Sequence, residues 1–197
     1  VLTGGPGAGK SAVLELVRLF FCKHVRALPE SAGIVFGGRF PRNGSIDVRR
    51  AAQRAIYHVQ RELESTAITE NAAVVLCDRG TVDGFAYWPG EGDLWQSVGT
   101  TRETELARYH AVIHLRTPSE SAYNTDNPLR VETHLEARNI DVRIAGAWSG
   151  HPHAFEVAAT DDFLAKAAKA LTLLRDLVPP CCRSSVKPFL WSERASG

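Results

Sequence analysis

Val1-Leu2-Thr3-Gly4-Gly5-Pro6-Gly7-Ala8-Gly9-Lys10-Ser11-Ala12 opens the chain, and its reading decides the fold. Val1 to Thr3 is the tail of an apolar strand. Val13, Leu16, Val17, Phe20 and Phe21 then recur at helical spacing across Ser11 to His24. Between strand and helix, Gly4 to Ser11 satisfies G-x-x-x-x-G-K-[ST], the pattern of a phosphate-binding loop, in the setting that the pattern requires. Glycines permit positive φ and a close approach of backbone N–H groups to phosphate oxygens, and the helix dipole adds about half a positive charge at that end. Gly4, Gly5, Pro6, Gly7, Ala8, Gly9, Lys10, Ser11 and Ala12 are accordingly read as the cradle of a nucleoside triphosphate. Lys10 is expected to reach the β and γ phosphates, and Ser11 to coordinate Mg²⁺, a hard cation that takes oxygen ligands. The implied ligands are ATP and Mg²⁺.

Outward from the loop, apolar runs alternate with helical patterns. Val25 to Leu28 reads as a short strand closed by Pro29, because the residue before proline is held extended. Gly33 to Ser45 reads as a loop. Val48, Ala52, Ala55, Ile56, Val59 and Leu63 lay an apolar stripe along a helix. Ala72 to Cys77 is a continuous apolar run, as in a strand buried on both faces of a parallel sheet. Thr101 to Tyr109 is read as helix, Ala111 to Leu115 as strand, Ser119 to Gly146 as polar and mostly helical, and His153 to Ala158 as the last strand. Thr160 is the expected N-cap, with Asp161 and Asp162 in the first turn, of a helix running to about Leu177 before Pro179 and Pro180. Such alternation predicts an α/β fold with a parallel sheet covered by helices on both faces. Residues 1–180 are expected to form one domain, with a lid segment at about 124–150, and residues 181–197 a C-terminal tail.

Composition narrows the function. With 197 residues, 44% hydrophobic, the chain can bury one sizeable core. A formal net charge of +1 supplies no field for a nucleic acid polymer, and no apolar run is long enough to span a bilayer. A cytoplasmic protein is expected. Cys22 and Cys77 lie in apolar stretches and Cys181 and Cys182 are adjacent, a spacing that predicts reduced thiols rather than a disulfide framework or a metal site. The start at Val1 inside a strand and the lack of methionine suggest that the sequence omits residues.

In an open parallel sheet, ligands bind beyond the carboxyl ends of the strands, which makes Glu30, Asp78 and Arg79 neighbours of the loop. Asp78 is a candidate Mg²⁺ ligand. Arg79 is a candidate clamp for a substrate oxygen or the moving phosphoryl group. Glu30 is a candidate acceptor for the proton of a substrate hydroxyl. The plainer alternatives are an Asp and Arg that only cap a strand, and an exposed loop glutamate. Arg116 follows the fourth strand. Arg130, Arg138 and Arg143, with Glu132, Glu136 and Asp141 among them, read either as a charge-bearing flap or as a solvated, salt-bridged helix. Arg39, Arg42, Arg49, Arg50 and Arg54 form a second basic cluster, a solvated face or a seat for an anionic substrate. His151 is a lesser candidate for the base pocket.

The ordered segments LTGGPGAGKS, ALPESAG, VVLCDRGTVDGFAYWP, VIHLRTPSESAYN and NPLRVETHLEARNIDVRIAGAWSGHP together resemble the P-loop ATPase and kinase domain of the NadR type, often labelled an AAA domain, over nearly the whole chain. They are also similar to deoxynucleoside kinases, in which a PE pair ends the second strand, an acidic-Arg-small triplet ends the third, and a leucine, arginine and proline sequence precedes a lid. Pro29-Glu30, Asp78-Arg79-Gly80 and Leu115 to Pro118 match those points. The resemblance implies a three-layer P-loop NTPase fold with a five-stranded parallel sheet in the order 2-3-1-4-5. It also implies Glu30 as base, Arg79 as substrate clamp and the Arg130 to Arg143 segment as lid. Ala12 departs from the many such loops that carry a second hydroxyl there.

The expected activity is transfer of the γ-phosphoryl group of ATP to a hydroxyl of a small, nucleoside-like acceptor, with Lys10, Glu30, Asp78, Arg79, Arg138 and Arg143 as catalytic candidates and Ser11 and Asp78 as metal ligands. A regulatory nucleotide switch or slow NTPase acting through a partner is the alternative.

Overall fold

Five short parallel strands and the helices between them make up a computed structural model that describes residues 1–120, 133–160 and 162–183. β1 (Leu2–Thr3) passes through the glycine loop into α1 (Lys10–Phe20), followed by β2 (Val25–Leu28) and α2 (Ser31–Gly37). The long α3 (Ile46–Thr69) leads to β3 (Val74–Cys77). Three short helices, α4 (Asp83–Tyr87), α5 (Leu94–Ser97) and α6 (Arg102–Ala107), precede β4 (Val112–Leu115). α7 (His134–Ala147), β5 (Ala154–Val157), α8 (Phe163–Leu177) and the single turn α9 (Pro180–Arg183) complete the described chain.

The expected single five-stranded sheet is not formed. The ladders divide into a three-stranded sheet, β1-β4-β5, and a two-stranded sheet, β2-β3. β1 ends where Gly4 turns to φ 139°. β1 and β3 meet through one bridge, Leu2 with Asp78, reinforced by the Arg79 N–H donating to the Leu2 carbonyl at 3.0 Å. Within the ladders all pairs are parallel, with Thr3 opposite His114, Leu28 opposite Cys77 and Leu115 opposite Val157. That register brings Gly4, Glu30, Asp78 and Arg116 out along one edge.

Helices cover both faces. Val13, Leu14 and Val17 of α1 and Ala167, Ala170, Leu171 and Leu174 of α8 pack on Leu2, Leu76, Ile113 and Leu115. On the other side Val112 joins Val82, Leu94, Trp95, Ile144 and Trp148. Ile113 and Val112 serve opposite layers because successive strand residues point to opposite faces. Each fully buried aliphatic side chain contributes about 1.5–3 kcal/mol, so α1 is held chiefly by this stripe.

Several boundaries depart from expectation. α1 ends at Phe20 rather than near His24, where Phe21 turns extended while its N–H still donates to the Val17 carbonyl. α2 occupies part of the expected loop Gly33–Ser45. Its glycines disfavour helix, and burial of Ser31 and Val35, one turn apart, offsets this. α8 is capped by Asp162, not Thr160: the Asp162 carboxylate accepts from the Leu164 and Ala165 N–H groups at 2.8 and 3.1 Å. α7 begins with a capping box between Thr133 and Glu136. Of the expected lid, residues 124–132, with Arg130 and Glu132, lie outside the described residues, as do most of the tail at 184–197 and Asp161. Among the described residues, no helix is long and apolar enough to cross a membrane.

Candidate functional site

Gly4, Gly7 and Gly9 have φ of 139°, 75° and 93°, and the turn they make delivers the chain into α1. A side chain at Gly4 is excluded outright, because a Cβ there would sit 2.1 Å from the Leu115 carbonyl oxygen. At Gly5 it would sit 2.4 Å from Thr117 Oγ1 and 2.8 Å from the Asp141 Cβ. The loop is thus pressed onto β4 and α7. Ala8 is buried beneath it, Pro6, Gly7 and Gly9 are half-buried, and Ser11 and Ala12 are exposed at the start of α1. The first N–H groups of any helix have no partner within it, so those of α1 face the loop mouth as donors.

Lys10 is buried and its Nζ donates to the Gly4 and Gly5 carbonyls at 2.9 and 3.0 Å. Burial, with Arg79 repelling, pushes its pKa down to about 8 against the pull of Asp78, Glu30 and Asp83. Asp78 is buried just past β3, and its Oδ1 has no hydrogen-bond partner. Burial pushes its carboxyl up to about 6, while Lys10 and Arg79 act against the rise. A buried carboxylate oxygen left unpaired is costly in water-free surroundings and is a fitting ligand for a hard cation. Ser11 and Asp78 therefore fit Mg²⁺.

Arg79 has φ 69°, a left-handed conformation that costs a non-glycine residue about 1–2 kcal/mol. The turn is over-determined from several sides. Its own N–H bonds Leu2, the Gly80 N–H donates to Asp83 Oδ2 at 3.0 Å, and the Thr81 N–H donates to the Tyr109 hydroxyl at 2.8 Å. Thr81 Oγ1 donates to the fully buried Glu105 at 2.7 Å. The guanidinium so aimed donates from Nε to Glu30 Oε1 at 2.7 Å and from Nη1 to Asp83 Oδ1 at 3.3 Å, and lies over the Tyr87 ring. Desolvation raises the pKa of Glu30, but the charges of Arg79 and Lys10 and the Arg79 hydrogen bond prevail and hold it below the usual carboxylate range. Glu30 is a carboxylate at neutral pH.

Two further acids belong to the site and were not singled out for it from sequence. Asp83 is buried and accepts from Thr3 Oγ1, Arg79, the Gly80 N–H and Trp148 Nε1. Its position four residues after Arg79 was the available signal. Asp141 is buried on α7, accepts from the Gly5 N–H at 2.9 Å, lies 2.8 Å from His114 Nε2 and pairs with Arg116 Nη1 at 3.1 Å. It shares the apolar stripe of Ala137, Ile144 and Ala147, where a solvated acid does not belong. Lys166, buried, donates to the Arg116 carbonyl and fixes the next turn.

Arg138 and Arg143 lie on the exposed side of α7, and Arg143 reaches toward the Trp88 carbonyl at 3.5 Å. In the second basic cluster Arg50 donates to the carbonyls of Pro89 and Glu91 and lies over Trp88, while Arg42 lies over Phe36. His151 contacts the Tyr109 carbonyl through Nε2 at 2.8 Å and accepts from the His153 N–H at 3.2 Å, away from the loop. A cavity of about 230 Å³ runs along β3 from Val74 to Cys77 and is lined also by Tyr109 and Ala111, among others.

A phosphate loop at the carboxyl edge of a parallel sheet, with a basic residue inside it and acids beside it, defines a P-loop protein with a kinase-like α/β fold. The chain belongs to the AAA domain family, whose model matches residues 1–165. Thymidylate kinase from Candida albicans is similar in structure, with a TM-score of 0.55 at 12% identity, over 89% of this chain and 90% of that one. No curated protein matches the sequence.

Proposed function

We propose that the protein transfers the γ-phosphoryl group of ATP to a hydroxyl of a small, nucleoside-like acceptor. The observation that carries this reading is the convergence, at the carboxyl ends of β1, β2 and β3, of the Lys10 loop, a buried Asp78 with an unpaired oxygen, and a Glu30 carboxylate held by Arg79. A protein that only held nucleotide would have use for the first two features. Glu30 and Arg79 serve an acceptor.

The loop from Gly4 to Ala12 holds the phosphate tail with backbone N–H groups, and Lys10 exchanges its two carbonyl partners for phosphate oxygens. Ser11 and Asp78 would hold Mg²⁺, which would neutralise phosphate charge there. Glu30 accepts the hydrogen bond of the acceptor hydroxyl and takes up the hydroxyl proton as that oxygen forms its bond to phosphorus, while the bond from phosphorus to the bridging oxygen breaks and ADP leaves with the electron pair. Arg79 orients Glu30 and steadies the equatorial oxygens of the moving group. Arg138 and Arg143, both exposed, are proposed to add positive charge over the phosphates from the lid side. The structural neighbour is named for a nucleotide substrate, which supports testing nucleosides and nucleoside monophosphates first.

The test is a phosphoryl-transfer screen in which ATP labelled at the γ position is offered with nucleosides, nucleoside monophosphates and related alcohols. A labelled product that disappears in Glu30→Gln supports the reading. Intact ATP binding with no labelled product from any acceptor overturns it.

A further inference from the structure

At the far end of α1, away from the phosphate loop, two cysteines and a histidine come together. Cys22 and His24 lie between α1 and β2, and Cys182 lies in α9. Packing of α1 on α8 carries the two segments to the same place, with Cys182 fully buried, Cys22 half-buried and His24 exposed. One ligand atom from each of the three falls within 4.8 Å of the others. Cys22 Sγ is 3.7 Å from His24 Nδ1, and the sulfur of Cys181 is 3.8 Å from that of Cys182.

The 3.7 Å between Cys22 and His24 is a coordination-shell separation, and the 4.8 Å bound on the set leaves about 1 Å for Cys182 to close on an ion. Zn–S bonds of about 2.3 Å and Zn–N bonds of about 2.0–2.1 Å place the donor atoms of a tetrahedral site about 3.5–3.8 Å apart. The backbone is held as well. The Val25 N–H closes a turn on the Cys22 carbonyl at 3.0 Å, the Val74 N–H fastens the His24 carbonyl to β3 at 3.2 Å, and the Cys182 N–H donates to the Pro179 carbonyl at 2.9 Å. Two sulfurs and an imidazole on pinned backbone suit a borderline-soft divalent ion, not Mg²⁺.

We propose that Cys22, His24 and Cys182 form a structural Zn²⁺ site that fastens α9 to the α1–β2 joint. On binding, each coordinating thiol gives its proton to solvent, and two thiolates balance the charge of the ion. The exposed His24 side is the entry path. The site stands at the amino end of β2, on the opposite edge from the phosphate loop, so its test does not depend on the kinase reading.

The probe is Co²⁺, added to the full chain under reducing conditions. Thiolate ligands give intense charge-transfer bands that an oxygen-ligated ion at Ser11 and Asp78 cannot produce. About one Co²⁺ per chain with these bands is expected, displaced by Zn²⁺, and Zn²⁺ should raise the melting temperature. Cys22→Ser and His24→Ala, neither fully buried, should retain the far-UV circular dichroism of the wild type, weaken the bands and lose the Zn²⁺ shift. No charge-transfer bands at saturating Co²⁺, or bands unchanged in Cys22→Ser, would overturn the proposal. So would a Cys22–Cys182 disulfide in a chain that takes up no metal.

Discussion

Arg79 Nε and Glu30 Oε1 are joined at 2.7 Å across the carboxyl ends of β3 and β2, and 49 residues of chain separate them. The bond has a chemical consequence. Held below the usual carboxylate range, Glu30 is a weak base but a permanently ionised acceptor, suited to orienting a hydroxyl rather than stripping it in advance. Its side chain is 40% exposed, so the pair adds at most about 1 kcal/mol to stability.

Glu30→Gln should therefore lower kcat by about 100-fold or more with little change in melting temperature or nucleotide affinity. Steady-state kinetics beside a nucleotide titration checks this. A fall in nucleotide affinity that accounts for the whole loss would remove Glu30 from the acceptor side.

Asp78 links function to stability. Its carboxyl stands at about 6 in the fold, raised from 3.8, so the folded state binds more protons between those values. Stability then falls as pH rises through that window and stays level above it, a cost of about 3 kcal/mol at most. Asp78→Asn should be more stable than wild type by about 1–3 kcal/mol at pH 8, lose that advantage near pH 4, and lose Mg²⁺-dependent turnover. Urea unfolding at the two pH values decides it. Equal stability at pH 8 would contradict the assignment.

Lys10, pushed down to about 8 by burial, is largely neutral at pH 9, and a triphosphate beside it should restore the charge. Nucleotide binding at pH 9 should take up about one proton, and far less near neutrality. Calorimetry in buffers of different ionisation enthalpy measures the uptake, and Lys10→Met should abolish it. Identical heats in every buffer at pH 9 would exclude the linkage.

Among the described glycines the tightest steric requirement falls in the loop, at Gly4. Gly4→Ala drives a Cβ to 2.1 Å from the Leu115 carbonyl oxygen at φ 139° and should cost about 3 kcal/mol or more. Gly37→Ala, in α2 with nothing within 4 Å of the added carbon, should instead stabilise by about 0.5–1 kcal/mol. Denaturant melts of the pair test the geometry of the loop.

The phosphate loop was legible because its motif is local: glycine spacing, Lys10 and the following apolar stripe all act within a few turns of chain. The placement of Glu30, Asp78 and Arg79 beside the loop was legible because the carboxyl ends of parallel strands lie on one side. Asp141 was not. Its partners, Gly5, His114 and Arg116, are distant in sequence, and a charge on α7 reads as a solvated face until the fold buries it. The site of Cys22, His24 and Cys182 was hidden for the same reason, since only the packing of α1 on α8 unites it. The division of the sheet was hidden differently. It rests on the backbone bonding between β1 and β3, a single bridge from Leu2 to Asp78, which hydrophobic pattern does not specify.

Titration of the full chain with a nonhydrolysable ATP analogue and Mg²⁺, beside Lys10→Ala, tests the central claim most directly. The wild type should bind the analogue, and Lys10→Ala should bind it about tenfold or more weakly with its far-UV circular dichroism unchanged. A wild type that takes up no analogue, or two proteins of equal affinity, would contradict a phosphate cradle at Gly4 to Ser11.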